Sequence, residues 1–302
     1  RCGERMTKHK ACIAILSSRQ RTIKLCLDNL WSSFNNKYGY PVYIYYFDDI
    51  YDSAELRKNI CSNTKQKIIF KQVPYSSPEN VSESDMFYNK MDNWYARTRF
   101  SINRKGYLHM INFKCNMMNY ENTNFHDYKY VFVLDDESGF TKEINFDPFQ
   151  SLYQNKYSMG SFYTQERERE PSQGQICTTM HFWNLAKKFI EDNNIDVKSE
   201  HIKNLFLDPD APINVNRLPI FSMRVVDTDL LKSEQWLKWL DAINESGGIY
   251  KHRWGDDDIY TMFCLINNIE IVDYNTIEGE CFNTQHFRSI QGFAPSVKEM
   301  SR

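Results

Sequence analysis

No stretch of this 302-residue chain concentrates Lys and Arg, and the formal net charge is only −2. It therefore lacks the basic face that a reader of phosphate backbones needs, and nucleic acid is not an expected partner. Long apolar runs are missing too: the longest, residues 11–16 and 131–134, fall far short of the roughly 18 residues a membrane span requires. The eight cysteines form no C-x-x-C pair and have no His at zinc-ligand spacing, which argues against a structural zinc site. The segment Ser17-Ser18-Arg19-Gln20-Arg21 contains no glycine, so the first strand is not followed by a Gly-rich phosphate loop. No internal repeat and no clear linker divides the chain.

What is present suits one large folded unit. Hydrophobic residues make up 41 % and aromatics 15 % of the chain, enough for a sizeable core and for a site that stacks on rings. A single domain over residues 1–302 is expected. The chain begins at Arg1 rather than Met, which is compatible with a targeting or anchoring segment ahead of it. The even cysteine count would suit disulfides, and Asn80 (N-V-S) and Asn244 (N-E-S) form glycosylation sequons. These features favour a secretory, Golgi-like lumen if an anchor precedes the chain, and the cytoplasm otherwise.

Apolar patterning predicts strands at residues 10–17, 42–47, 67–73 and 130–134. Helical spacing is found at 19–34 (Ile23, Leu27, Leu30, Phe34), 182–190, 230–243 and 259–266, and part of 92–118 reads as helix. Residues 76–84 and 165–175 read as loops. Strands alternating with helices predict an α/β fold with a Rossmann-type mixed, mostly parallel sheet flanked by helices, whose ligands collect at the carboxyl ends of the strands.

Two acidic groups stand out against that frame. Asp135-Asp136-Glu137 emerges abruptly from a buried strand at the ligand-binding edge. Carboxylates in such a turn suit a hard cation, Mn²⁺ or Mg²⁺, which takes one or two of them and leaves its other positions to phosphate and water. A cation so placed would neutralise a diphosphate leaving group during glycosyl transfer. A solvated turn is the plainer reading of the same letters. The second group, Asp256-Asp257-Asp258, follows Trp254-Gly255 and is placed to cap the next helix, with Asp256 also a candidate for catalysis or acceptor binding. His109, His126, His181 and His201 read best as ordinary surface or core histidines.

Four segments resemble the fungal α-1,2-mannosyltransferases of glycosyltransferase family 15. Phe34-Asn35-Asn36-Lys37-Tyr38-Gly39-Tyr40-Pro41 is similar to the family's F-N-x-K-F-x-Y-P. Gly106-Tyr107-Leu108-His109-Met110-Ile111-Asn112-Phe113 resembles S-Y-R-H-M-C-R-F, and the stretch from Tyr128 to Glu137 stands where the family has Y-x-Y-Y-W-R-V-E-P-D. Gly247-Gly248-Ile249-Tyr250-Lys251-His252-Arg253-Trp254-Gly255-Asp256 resembles G-G-F-F-Y-E-R-W-G-D, the most specific of the four. Order and spacing agree over residues 13–274.

The resemblance implies a GT-A-like fold, Mn²⁺, a nucleotide-sugar donor such as GDP-mannose, a glycan or glycoprotein acceptor, and retention of anomeric configuration. It makes Asp135, Glu137 and His286 the candidate metal ligands, and Arg19, Tyr107, Asp135 and Glu166 (or Glu168) the candidates for donor binding. Asp256, Ser222 and Tyr107 are the catalytic candidates. Ser222 falls where the family's H-F-W-S-N-F-E motif has a carboxylate proposed as nucleophile, and His286 is the nearest counterpart of a metal-binding histidine. Retention by a front-face ion-pair route and inversion with Asp256 or a neighbouring aspartate as base both remain open. The rival readings are a nucleotidyltransferase and a non-catalytic relative that binds nucleotide sugars or carbohydrate.

Overall fold

The computed structural model describes residues 9–76, 78–87, 104–120, 122–165, 181–200, 202–203 and 220–274. Its centre is a seven-stranded sheet built from β1 (Ala11–Leu16), β2 (Val42–Tyr46), β3 (Ile68–Gln72), β4 (Tyr130–Asp135), β5 (Met159–Gln165), β6 (Ile220–Asp227) and β7 (Ile271–Asp273). The strand order is β3-β2-β1-β4-β6-β5-β7. Pairing is parallel from β3 through β4 and between β5 and β7, whereas β6 lies antiparallel to both β4 and β5. The mostly parallel, mixed α/β sheet expected from the strand-helix alternation is thus observed. The reversed β6 brings its first residues to the edge where the parallel strands end.

Alternation along the strands divides the interior into two cores. Cys12, Ala14, Tyr43, Tyr45, Val131 and Val133 face one side. Ile13, Ile15, Val42, Ile44, Phe132 and Leu134 face the other. Helix α1 (Gln20–Leu30) covers the second side with Ile23, Leu27 and Leu30, then continues through a π-turn, Trp31–Asn35, that buries Phe34. Helix α2 (Ala54–Ile60) follows β2, capped by the Ser53 side chain, which accepts from the Leu56 amide. Helix α3 (Arg104–Asn116) packs Leu108, Ile111 and Cys115 into the first side, and α4 (Pro148–Asn155) adds Phe149 and Leu152 to the second. On the first side lie also α5 (Phe182–Asp192), α6 (Glu234–Ser246) and α7 (Asp256–Ile266).

Several sequence expectations are corrected. The run at 230–243 is not one helix, because the Ser233 side chain accepts from the Trp236 amide and caps α6, leaving a separate turn at Thr228–Leu231. Helix α7 begins at Asp256 with Gly255 as its N-cap, so the three aspartates occupy the first turn instead of preceding it. Their charge still complements the exposed amides and the helix dipole there. Strands β5, β6 and β7 were not expected from the apolar pattern. The described cysteines, Cys12, Cys26, Cys61, Cys115 and Cys264, are free thiols, with no disulfide among them, while Cys2, Cys177 and Cys281 lie outside the described residues. Asn244 exchanges hydrogen bonds with the Asn116 amide at 3.0 and 3.3 Å, so a glycan there would break a mutual pair. Among the described residues no helix is long and apolar enough to cross a membrane.

Candidate active site

Strand β4 delivers Asp135 to the sheet edge, and the three acids of the turn then have different neighbours. Asp136 is 2 % exposed and acts as an anchor. It accepts from the Ser17 hydroxyl at 2.9 Å, from the Ser18 and Arg19 amides at 3.1 and 3.2 Å, and from Arg19 Nη2 at 2.5 Å. The turn is thereby tied to the β1–α1 junction. Burial pushes the Asp136 carboxyl above its ordinary range, while Arg19 and these donors pull it back. Glu137 receives the other arm of the same guanidinium, Arg19 Nη1, at 2.6 Å. Asp135 keeps the most open carboxylate of the three, with 34 % of its side chain exposed, and pairs with Lys114 Nζ at 2.5 Å.

Lys114 comes from α3 and links this turn to the Trp-Gly-Asp segment. Its ammonium lies 3.6 Å from Asp256 Oδ2, and its backbone carbonyl accepts from the Tyr260 hydroxyl at 3.0 Å. Burial would lower its pKa, but Asp135 and Asp256 outweigh that and hold it raised. Arg224 enters from β6, where its Cα pairs with Val133 two residues before Asp135. Its side chain is 3 % exposed, with Nη2 2.5 Å from Asp256 and Nη1 bonded to Asp257. The guanidinium carbon sits 4.4 Å over the Tyr260 ring, within cation-π range.

The two aspartates respond in opposite directions. Burial disfavours charge on Asp256, yet Lys114 and Arg224 draw its pKa below the ordinary value. Asp257 is pushed up to about 7 by burial and by Asp256, against the pull of Arg224. Its side chain nevertheless retains 28 % exposure. Asp256 is therefore the buried counter-ion of two cations, and Asp257 the more open carboxylate.

The glycines before Trp254 have separate tasks. Gly247 ends α6 in the left-handed region at φ 67°, where a side chain is strained. At Gly248 a Cβ would stand 2.1 Å from the Trp254 ring, so only glycine lets the indole lie against the backbone. Trp254 is 1 % exposed and packs on Phe182 at 5.1 Å between ring centroids. That packing sets where α7, and hence Asp256, begins. Tyr107, half-exposed at 37 %, lies beneath Arg253, whose guanidinium carbon is 4.6 Å from its ring centre.

The structure thus brings Arg19, Asp135 and Glu137 together at the turn, and joins Asp135 to Asp256 through Lys114. Ser222 is a residue of β6 with its Cα opposite Tyr163, and only its backbone position is described. Glu166, Glu168, His201 and His286 lie outside the described residues. His109 is a core histidine, its Nδ1 3.0 Å from the Ser76 carbonyl and 3.1 Å from the Tyr250 hydroxyl. Lys114 and Arg224 were not among the sequence candidates. The letters around Lys114 read as a mixed aromatic-basic helix, and only a basic residue inside an otherwise apolar helix face could have marked it.

Two hard oxygen donors, Asp135 and Glu137, match in kind what Mn²⁺ or Mg²⁺ takes from a protein when a diphosphate supplies the rest. Among the described residues there is no group of three or more His, Cys, Asp or Glu that could hold a metal.

Comparison with known proteins gives the context. The O-glycoside alpha-1,2-mannosyltransferase omh1 of Schizosaccharomyces pombe is 23 % identical over 242 residues, covering 77 % of this chain and 58 % of that protein. The glycolipid 2-alpha-mannosyltransferase of Saccharomyces cerevisiae is 21 % identical over 263 residues, 84 % of this chain and 56 % of its own length. The chain thus spans little more than half of either relative. Among solved structures, the mannosyltransferase Ktr4p of S. cerevisiae superposes with a TM-score of 0.70 at 21 % identity, covering 90 % of this chain and 70 % of that one. Core-mannan synthase A of Aspergillus fumigatus, solved in its Mn/GDP form, gives 0.66 at 17 % identity over 87 % of this chain and 72 % of that one. These likenesses establish the GT-A-like fold. The sequence pattern of the glycolipid 2-alpha-mannosyltransferase family matches residues 2–280, and the chain belongs to that family.

Proposed function

We propose that the chain is a glycosyltransferase that moves a hexosyl group, mannosyl by family, from a nucleoside-diphosphate sugar such as GDP-mannose to a glycan hydroxyl. The observation that carries this reading is the acidic turn at the end of β4, in which Asp136 is spent on holding the backbone and Asp135 is left half-open at the ligand edge. Family membership and the Mn/GDP form of one structural relative support it. Asp135 and Glu137 would hold a divalent cation, Mn²⁺ or Mg²⁺, which when bound neutralises the departing diphosphate. Arg19, 36 % exposed and bonded to Glu137, stands beside the same place to orient phosphate oxygens. Tyr107 offers a half-exposed ring and hydroxyl to the donor. A secretory-lumen location is part of the same reading and rests on the family.

The acceptor side is assigned to the Trp254–Asp257 segment. Asp256 serves there through position, because its carboxylate is committed to Arg224 and Lys114. Retention without a covalent intermediate is the route we carry over from the family: among the described side chains, β6 presents Arg224 to the site, and a guanidinium is not a nucleophile, while Asp257, bonded to that guanidinium, is the base an inverting route would use. The leaving diphosphate would then help to deprotonate the acceptor. A thermal-shift screen of nucleotide sugars, with and without Mn²⁺, tests the donor assignment. Stabilisation by a guanosine-diphosphate sugar only when Mn²⁺ is present is expected; equal shifts with unrelated nucleotides would overturn it. The anomeric configuration of the product, read by NMR, tests retention.

A further inference from the structure

Both turn carboxylates assigned to the cation are already matched to positive charges of the protein, Asp135 to Lys114 at 2.5 Å and Glu137 to Arg19 at 2.6 Å. The two matches differ in kind. Arg19 is 36 % exposed, a third open to solvent. Lys114 is 8 % exposed, with Asp256 also 3.6 Å from its ammonium and the Tyr260 hydroxyl bonded to its own carbonyl. Asp256 is in turn held by Arg224, so the ammonium has little room to retreat.

A divalent cation on Asp135 would stand beside this buried ammonium, and like charges at such spacing repel strongly where water is excluded. The protein alone therefore offers a poor cation site despite its acidic letters. A nucleoside diphosphate changes the balance, because its phosphate oxygens bring negative charge to both the cation and the ammonium.

We infer that Lys114 couples the two ligands: it keeps divalent-cation affinity low in the free protein, so that cation and nucleotide diphosphate bind together. This rests on the reading of Asp135 as a cation ligand. Lys114 is a positioning residue here, acting on the cation through Asp135. Such coupling is reciprocal, so the cation raises nucleotide affinity by the same factor.

The test is Mn²⁺ binding to the full chain followed by electron paramagnetic resonance, with and without GDP, after allowing for Mn²⁺ bound to free GDP. In the wild-type chain GDP is expected to tighten Mn²⁺ by about tenfold or more. Lys114→Gln and Lys114→Met should bind Mn²⁺ alone roughly tenfold more tightly than wild type, with a smaller gain from GDP. Lys114→Arg keeps the charge and should behave as wild type, which a merely structural role would not predict. Near-UV circular dichroism checks the fold of each variant, and the wild-type comparison stands even where a variant does not fold. Equal wild-type affinity with and without GDP, or an unchanged affinity in Lys114→Gln, would overturn the coupling alone. Failure of Mn²⁺ to bind even with GDP would overturn the cation assignment as well.

Discussion

Replacing Arg224 with methionine removes the charge at the centre of the site while keeping a side chain of similar reach. Arg224 is 3 % exposed and bonded to both Asp256 and Asp257. Removing one partner of a buried ion pair generally costs about 3–5 kcal/mol, because a charge is left without compensation. Here the lower end applies. Asp256 retains Lys114 at 3.6 Å, and Asp257, already held at about 7, protonates readily. About 3 kcal/mol at pH 8 corresponds to a fall in melting temperature of roughly 5 °C for a chain of 302 residues. The deficit should shrink at pH 5.5, where the orphaned carboxylates take up protons. Thermal unfolding followed by circular dichroism at both pH values measures it. The triple variant Arg224→Met, Asp256→Asn, Asp257→Asn should recover most of the loss, since no buried charge is stranded. A loss below about 1 kcal/mol at pH 8 would refute the reasoning. So would a triple variant no better than the single one.

Other consequences follow from the same contacts. Asp135→Asn should abolish turnover and Mn²⁺-dependent nucleotide binding, with melting of the unliganded protein lowered by no more than a few degrees, as the Lys114 pair is half-open on the Asp135 side; retained turnover at ordinary Mn²⁺ would remove the turn from the site. Gly248→Ala places a methyl 2.1 Å from the Trp254 ring and should cost about 1–3 kcal/mol by overpacking, with a shift in tryptophan fluorescence as the indole moves. Asp257 has a folded-state pKa raised from 3.8 to about 7, so its contribution to stability is present below pH 4 and is lost as pH rises through 7. Asp256, Arg224 and Lys114 surround it. Asp257→Asn should flatten the decline between pH 4 and 7, and urea titrations across that range would reveal an unchanged slope if the carboxylate titrates normally.

Much of the first half of the sheet could be read from letters alone. Strands β1, β2 and β4 are continuous apolar runs because both faces are buried, and β1 is followed by a helix of clear period, whereas the short helix after β2 was not read from the sequence. Strand β6 was hidden by its buried ion pair: Arg224, bonded to Asp256 and Asp257, interrupts the apolar pattern, and Met223 adopts a positive φ of 52°. The acidic turn was legible as a place but not as a division of labour. Asp135, Asp136 and Glu137 differ through Ser17 and Arg19, which reach them from the β1–α1 junction, and through Lys114 of α3. Local pattern carries no record of such tertiary pairings. The three aspartates after Gly255 show the same limit, since their place in the first turn of α7 depends on Trp254 packing against Gly248.

The central claim is sugar transfer from a nucleotide donor at the Asp135 turn, and its most direct test is an incubation of the purified chain with GDP-mannose, Mn²⁺ and an α-mannoside acceptor, analysed by mass spectrometry. The account predicts an acceptor one hexose heavier with matching release of GDP, and neither product from the folded Asp135→Asn variant. Equal product from that variant, or no nucleoside diphosphate released by the folded wild-type chain from any sugar nucleotide supplied, would contradict it.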